Sequence, residues 1–397
     1  MSNKILFVVS KDFLNSHIGV RRVIKFYFQE IIKLGFQADW AIADDNKIIK
    51  ISFRGKTFEE IYAESFCEER EDVIITADKL HEKHVYTSWV HQETKDFYDK
   101  KYVIDDLETY YRVILTAPWA VSERFPIVQN SIGIVYDIIP NLISLGKLKF
   151  VGASDPLIKF AFLHKVGFEY YLNNCVAISH ISRHTMADFQ MMRKYSKSSS
   201  RDYAVIPFSF SLVSRPTGNL KDNQEGPYEI LCVNFFDARK NFLKGVEALL
   251  NLKKSFSFSV SFVGGPRMEL SEIFYNLKRF SAAGIDFRWH VNSTDRVLEE
   301  QYKSADVLFF PSIYEGLGLP ILEAQSFGKP CVTSSGGACG EINFFPEISG
   351  DADSIVELTK ALERCLINLS KYKDSNFFEE RAKKIFSEYS SVSQLLS

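Results

Sequence analysis

The stretch Asp306-Val307-Leu308-Phe309-Phe310-Pro311-Ser312-Ile313-Tyr314-Glu315-Gly316-Leu317-Gly318-Leu319-Pro320-Ile321-Leu322-Glu323 decides the fold. Val307 to Phe310 is a short apolar run, as a buried parallel strand requires. Pro320 opens a helix that Gly328 stops, matching the preference for Pro just inside a helix and Gly just past it. The unit reads strand, glycine loop, helix, and such loops lie at the carboxyl edge of an α/β sheet, where ligands bind. Free amides of Gly316, Leu317, Gly318 and Leu319, together with the helix dipole, suit an anion. Glu315 in the loop and Glu323 in the first helical turn suit hydroxyls of a sugar and a ribose.

The same alternation extends in both directions. Downstream of a polar Gly/Pro-rich linker near 214–228 the reading gives strands at Glu229–Val233, Ser257–Val263, Asp286–His290, Val307–Phe310 and Pro330–Thr333. Helices lie between them at Phe242–Leu252, Glu269–Phe280, Arg296–Ser304 and Pro320–Phe327. Upstream, the strands are Ile5–Val9, Val73–Thr76, Val113–Ala117, Ile132–Tyr136 and Val176–Ser179, with a helix at Val20–Leu34 and an acidic helix from Thr57 to Asp72. Ser196–Ser200 reads as a mobile loop or a surface turn. This pattern means two doubly wound α/β domains, as a length of 397 residues also suggests.

Lys plus Arg is 48 and Asp plus Glu is 50, a balance that argues against a nucleic-acid partner. No apolar run is long enough to cross a membrane, and the N-terminal run Ile5–Val9 is too short for a signal-peptide core. The six cysteines (67, 175, 232, 331, 339 and 365) form no C-x-x-C pair, so buried thiols in a reducing cytoplasm are expected. The 34 Phe and 18 Tyr imply a large aromatic core or a sticky surface.

Tyr314 to Glu323 resembles the E-x(7)-E signature of glycosyltransferase family 4 (group 1), retaining enzymes of the GT-B fold. Gly328 to Ser334 resembles that family's G-x-P-V-x-x-S strand, and Glu341 the acidic residue after it. Asp237-Ala238-Arg239-Lys240-Asn241 resembles the R-K-N of one branch, with Gly264-Gly265 at the next strand end. Phe386-Ser387-Glu388-Tyr389 resembles the start of the family's crossing helix. In the first half, Gly19-Val20-Arg21-Arg22 resembles the loop after the first strand. Tyr136-Asp137-Ile138-Ile139-Pro140 resembles H-D-L-I-P with Tyr in place of His, and Ala177-Ile178-Ser179 the strand end before the linker. Phe235 stands near a position where many relatives carry an Arg facing the diphosphate.

The resemblance implies a GT-B architecture, two Rossmann-like domains facing each other across a cleft. An acceptor domain is expected over 1–214, a nucleotide-sugar domain over 225–378, and a helix over 379–397 crossing back to the first. It implies retaining transfer of a hexosyl group from a nucleotide-diphosphate sugar to a hydroxyl of a glycan or lipid-linked saccharide, in O-antigen or capsule-type polysaccharide assembly. Lys240 and Arg239 would stabilise charge on the departing diphosphate, with Glu315, Tyr136 and Asp137 at the reacting sugar. Glu323, the 316–319 amides, Gly264 and Gly265 would hold the donor, and Gly19 and Arg22 the acceptor or a phosphate. No cofactor and no metal are expected.

Competing readings are a GT-B epimerase or phosphorylase, and a catalytically idle subunit that binds a nucleotide sugar. The helical region Lys147 to Tyr171 mixes Lys147, Lys149, Lys159 and Lys165 with Phe150, Phe160, Phe162, Phe168 and Tyr170. It reads as an amphipathic helix against the sheet, or as a peripheral contact with an anionic membrane at its inner face. Three metal-like patterns are weak. Asp351-Ala352-Asp353 reads as a helix start, His81-Glu82-Lys83-His84 is one residue short of a zincin motif, and His180 with His184 lacks a third ligand.

Overall fold

Among the described residues, fifteen strands form, many of them where β-branched and aromatic runs meet turn residues. The computed structural model describes residues 3–16, 18–65, 73–81, 97–148, 155–194, 198–212, 227–291 and 293–397. In chain order the strands are β1 (Lys4–Val9), β2 (Gln37–Asp44), β3 (Lys47–Ser52), β4 (Ile74–Thr76), β5 (Asp99–Val103), β6 (Arg112–Leu115), β7 (Ser131–Val135), β8 (Ala177–His180) and β9 (Arg201–Ala204). They continue as β10 (Tyr228–Val233), β11 (Phe258–Val263), β12 (Asp286–His290), β13 (Val307–Phe310), β14 (Cys331–Ser334) and β15 (Ser349–Gly350).

The first unit comprises 1–68, 93–209 and 386–397. Its sheet runs β5-β3-β2-β1-β6-β7-β8-β9. Strands β2, β1, β6, β7, β8 and β9 are parallel, while β3 and β5 add antiparallel at one edge. The order reverses at β1, which lies between β2 and β6. A cluster of Phe7, Phe28, Trp40, Phe53 and Phe58 fills one face, with Phe7 stacked on Trp40 at 4.7 Å.

The second unit comprises 69–92 and 210–385. Its sheet runs β15-β14-β13-β10-β11-β12-β4, parallel except for β4. Phe235, Phe236, Phe242, Phe262, Phe309 and Trp289 form its aromatic core. Many of the abundant aromatic residues are therefore core, gathered in clusters within each unit.

Several boundaries differ from the sequence expectation. The strand Ile74–Thr76 does not extend the first sheet. It pairs antiparallel with Arg288–His290 of β12 and satisfies an edge of the second sheet, so the N-terminal stretch 1–214 is not one continuous unit. A three-residue apolar run carries no information about which sheet it will join. Residues 386–397 return to the first unit, where Val392, Leu395 and Leu396 are buried. There Ser390 N–H donates to Ala204 O at 2.8 Å, and Arg183 pairs with Glu388. The helix after β1 begins at Ile18, so Gly19 and Arg22 sit in its first turns and not in a loop. The strands β3, β5 and β9 escaped the sequence reading because they are short or carry Lys or Arg on exposed positions, and β2 because Ala and Asp interrupt its apolar pattern.

The linker over 213–226, residues 66–72 of the acidic helix with Cys67, residues 82–84 of the zincin-like pattern, Lys149, Phe150 and residues 195–197 lie outside the described residues. The other five cysteines are free and buried.

Candidate active site

Strands β10 and β13 are adjacent and parallel, so the loops leaving their carboxyl ends meet. The second sheet reverses order at β10, and this edge is its switch point, the usual ligand position in open α/β sheets. After β10 comes a 3-10 turn, Ala238–Lys240, which the Asp237 side chain caps by accepting Arg239 N–H at 2.8 Å. Asn241 closes the turn in the left-handed region at φ 63° and starts the helix Phe242–Leu252. Ile313 N–H donates to Arg239 O at 2.9 Å, which ties this turn to the loop after β13.

The result is a compact ion cluster. Lys240 Nζ lies 2.6 Å from Glu315 Oε1, and an Arg239 Nη lies 2.7 Å from Glu315 Oε2. Arg239 also donates to Tyr314 O at 2.9 Å. Lys240 is 7% and Glu315 8% exposed. Burial pushes the Glu315 carboxyl up, but Arg239 and Lys240 together outweigh it and hold the group down at about 2. Burial lowers the Lys240 ammonium, and Glu315 opposes that shift. Lys240 Nζ also stands 4.3 Å from the Phe310 ring centroid, a favourable cation–π position. Two cations share one carboxylate, so the cluster carries one excess positive charge at the mouth of the sheet.

Gly318 lies at φ 97° and caps the eight-residue helix Leu319–Ser326. A Cβ there would approach Ile321 Cδ1 to 3.1 Å and face a backbone region that L-residues rarely adopt. The helix starts at Leu319, so Glu323 falls beyond the first turn, in correction of its expected place. Its Oε2 accepts from the Tyr302 hydroxyl at 2.8 Å, a partner that no motif signalled. Gly264 has φ 119°, and a Cβ would strike Asn234 Oδ1 at 2.4 Å. Its N–H donates to His290 O and its carbonyl accepts from Trp289 Nε1, so Gly264 fixes the strand end while Gly265 stands beside it, half-exposed.

Other sequence candidates are placed differently. The Tyr136 hydroxyl donates to Thr116 O at 2.8 Å, and burial raises its pKa well above the ordinary value. It is held by its own fold. Asp137 Oδ1 accepts from Ile139 N–H at 2.9 Å and caps the following turn. Tyr136, Asp137, Gly19 and Arg22 all belong to the first unit. Phe235 points into the aromatic core of the second unit, with Phe262 at 5.6 Å and Phe242 at 5.5 Å.

The Asp-x-Asp pattern serves this loop system. Asp353 pairs with Lys244, Asn241 Nδ2 donates to Ala352 O at 2.7 Å, and Ser354 caps the helix Ile355–Ile367. His180 pairs with Asp202, and His184 with Asp188. Among the described residues no group of three metal-ligating side chains is found.

Residues 219–383 match the family model described as Glycosyl transferases group 1. These residues belong to that family. The Arg239–Lys240–Glu315 cluster and the 316–319 loop both lie within this glycosyltransferase region.

The chain is 41% identical over 63 residues to O-antigen chain mannosyltransferase B of Escherichia coli, 16% of this chain and 15% of that protein. It is 23% identical over 266 residues to serotype-specific mannosyltransferase WbdA of Escherichia coli, 62% of this chain and 30% of that protein. The chain thus spans less than a third of the length of these curated relatives. Its fold is that of Anabaena HepE, solved with UDP and glucose. The TM-score is 0.56 at 13% identity, covering 99% of this chain and 97% of that one. The chain therefore has the GT-B fold in its two mixed α/β sheets.

Proposed function

We propose that this glycosyltransferase moves a hexose, mannose being the first to test, from a nucleotide-diphosphate sugar to a hydroxyl of a saccharide acceptor with retention of configuration. The excess positive charge of the Arg239–Lys240–Glu315 cluster, set beside the helix that starts at Leu319, carries the reading. Cleavage at the anomeric carbon moves negative charge onto the diphosphate. Buried cations and a helix N-terminus stabilise that charge without reorganising. Glu315 keeps the two cations in place and stays ionised at working pH. The departing phosphate takes the acceptor proton, so no protein nucleophile is required. The sugar assignment leans on the names of the two Escherichia coli relatives, and the role in surface-polysaccharide assembly leans on the same names.

A thermal-shift series with UDP, GDP, ADP and dTDP sugars tests the donor. A nucleotide at about 100 times its dissociation constant adds roughly 2.7 kcal/mol of stability, and one member of the series is expected to do so. Transfer with that donor continues in EDTA, because the cluster supplies the positive charge. A loss of activity restored by manganese would count against this assignment. Product formed without any acceptor would favour the epimerase reading. Donor affinity with no turnover on any acceptor pool would favour the idle subunit.

We also propose that the acceptor is presented at an anionic membrane face. Among the described residues no helix is long and apolar enough to span a membrane. The helix Asp155–Asn174 nonetheless exposes Ile158, Phe162 (56%) and Leu163, near exposed Leu145 and with Lys159 and Lys165 also exposed along it. Serine at Lys147, Lys159 and Lys165 together should weaken binding to anionic vesicles on the order of 100-fold, at about 1 kcal/mol per lysine. Unchanged sedimentation with phosphatidylglycerol vesicles would remove the membrane contact.

A further inference from the structure

The first unit holds a buried polar group that its own fold leaves unsatisfied. His164, on the helix Asp155–Asn174, is 4% exposed, and neither ring nitrogen has a hydrogen-bond partner. Its ring stacks on Trp119 at 5.3 Å and 17°. Phe160 lies 4.4 Å away, and Phe168 meets the imidazole edge-on at 5.4 Å. Trp119 also stands 5.8 Å from Phe160 and 5.7 Å from Tyr136. The buried Asn141 has its Oδ1 without a partner, while its Nδ2 donates to Ala161 O on the same helix.

These rings have a defined place in the fold. Trp119 lies in the 3-10 turn Pro118–Ala120 that follows β6, and Tyr136 follows β7 directly. Strand β6 adjoins β1, where the first sheet reverses order. The cluster therefore sits at the carboxyl edge near the switch point, the position at which such sheets take ligands. Gly167 brings the helix backbone against the turn, since a Cβ there would lie 2.0 Å from Pro118 O. This contact fixes Trp119 on a rigid base. Burial lowers the His164 imidazole to about 4, so the ring behind Trp119 is neutral.

Trp119 is half-buried, and Phe160 keeps 39% of its surface exposed. A rigid, uncharged aromatic cluster whose Trp119 and Phe160 rings are partly exposed suits a ligand that has an apolar C–H face and a polar rim, which describes a pyranose. The aromatic surface covers the C–H face and leaves the hydroxyls free for water and neighbouring polar groups. We propose that Trp119, backed by His164 and flanked by Phe160, is the stacking platform for a pyranose ring of the acceptor saccharide. This rests on the transferase reading above.

The test uses the full chain and a set of methyl glycopyranosides (mannoside, glucoside, galactoside and rhamnoside), with uridine and guanosine as controls. Binding is read by saturation-transfer NMR, and the nucleotide thermal shift is measured in parallel. At least one glycoside is expected to receive saturation on its C–H face. Trp119→Ala should weaken it about tenfold, the scale for truncating an anchoring Trp, and Trp119→Phe should restore most of it. Phe160→Ser, on the exposed side, should weaken it as well and serves if Trp119→Ala does not fold. Failure of every glycoside to bind, unchanged binding in the folded variants, or nucleosides binding there instead would overturn the platform. A persistent nucleotide shift would then leave the donor reading standing. Glycoside binding without any nucleotide shift would sink the donor reading and keep the platform.

Discussion

Lys240→Met should reduce kcat about 10²- to 10³-fold, the range for losing one preorganised charged donor, roughly 2.7–4 kcal/mol. The substitution takes the cluster from one excess positive charge to none. The apolar Met keeps a similar length, but the ammonium that stood 2.6 Å from Glu315 and 4.3 Å from the Phe310 ring centroid is gone. Stability should fall too, because removing one partner of a buried pair costs about 3–5 kcal/mol. Arg239 still holds the second carboxylate oxygen, which places the loss at the lower end of that range. The two effects can be separated. Lys240→Met with Glu315→Gln removes the carboxylate with its ammonium partner and leaves Arg239 as the one charge of the cluster, still bonded to Tyr314 O, so it should recover part of the stability. Its turnover should stay low. Glu315→Gln alone frees both cations and should tighten nucleoside-diphosphate binding while lowering turnover. Steady-state kinetics with the donor selected by thermal shift, alongside denaturant unfolding, measure all three variants. A Lys240→Met enzyme within fivefold of the parent kcat would show that the cluster is structural only.

The legible part of this molecule is the second half. There, Val307–Phe310 is an uninterrupted apolar run, Asp286–His290 alternates polar and aromatic residues, and Asn241 precedes the helix Phe242–Leu252, so these three elements are readable to the residue. Their order alone brings Arg239, Lys240 and Glu315 to one sheet edge, because adjacent parallel strands deliver their loops to the same side. The sequence does not say that the three charges satisfy each other. That depends on the left-handed turn at Asn241 and the bond from Ile313 to Arg239, which link residues about seventy apart. The first half is harder because its edge strands are polar and its motifs are substituted. Tyr136 stands where a family His would project, yet its hydroxyl reaches the backbone of the neighbouring strand's exit loop. The strand Ile74–Thr76 shows the other limit: local pattern can indicate a strand without indicating its partner.

Phe235 provides the second large expectation. Family resemblance places an Arg facing the diphosphate near this position, so Phe235→Arg reads from sequence alone as a restoration. The structure predicts the opposite. Phe235 is 2% exposed and surrounded by Phe236, Phe242, Phe262 and Phe309. Gly245 in the helix Phe242–Leu252 is bare because a Cβ would meet the Phe235 ring at 2.5 Å. An Arg there would bury a charge among aromatic rings, with no acidic group in that ring cluster to receive it, and would unfold the second unit or force its loop apart. Phe235→Ala should cost about 3–5 kcal/mol, the usual price of emptying a Phe site in a packed core. Phe235→Leu, which fills more of the volume, should cost less than Phe235→Ala. Urea unfolding of the three variants gives the order directly: Leu mildest, Ala intermediate, Arg worst. A folded Phe235→Arg enzyme with parental stability and raised turnover would move this residue from the core to the donor site. It would also mean that the positive charge facing the diphosphate comes in part from the loop just after β10, and not from the Arg239–Lys240 turn alone.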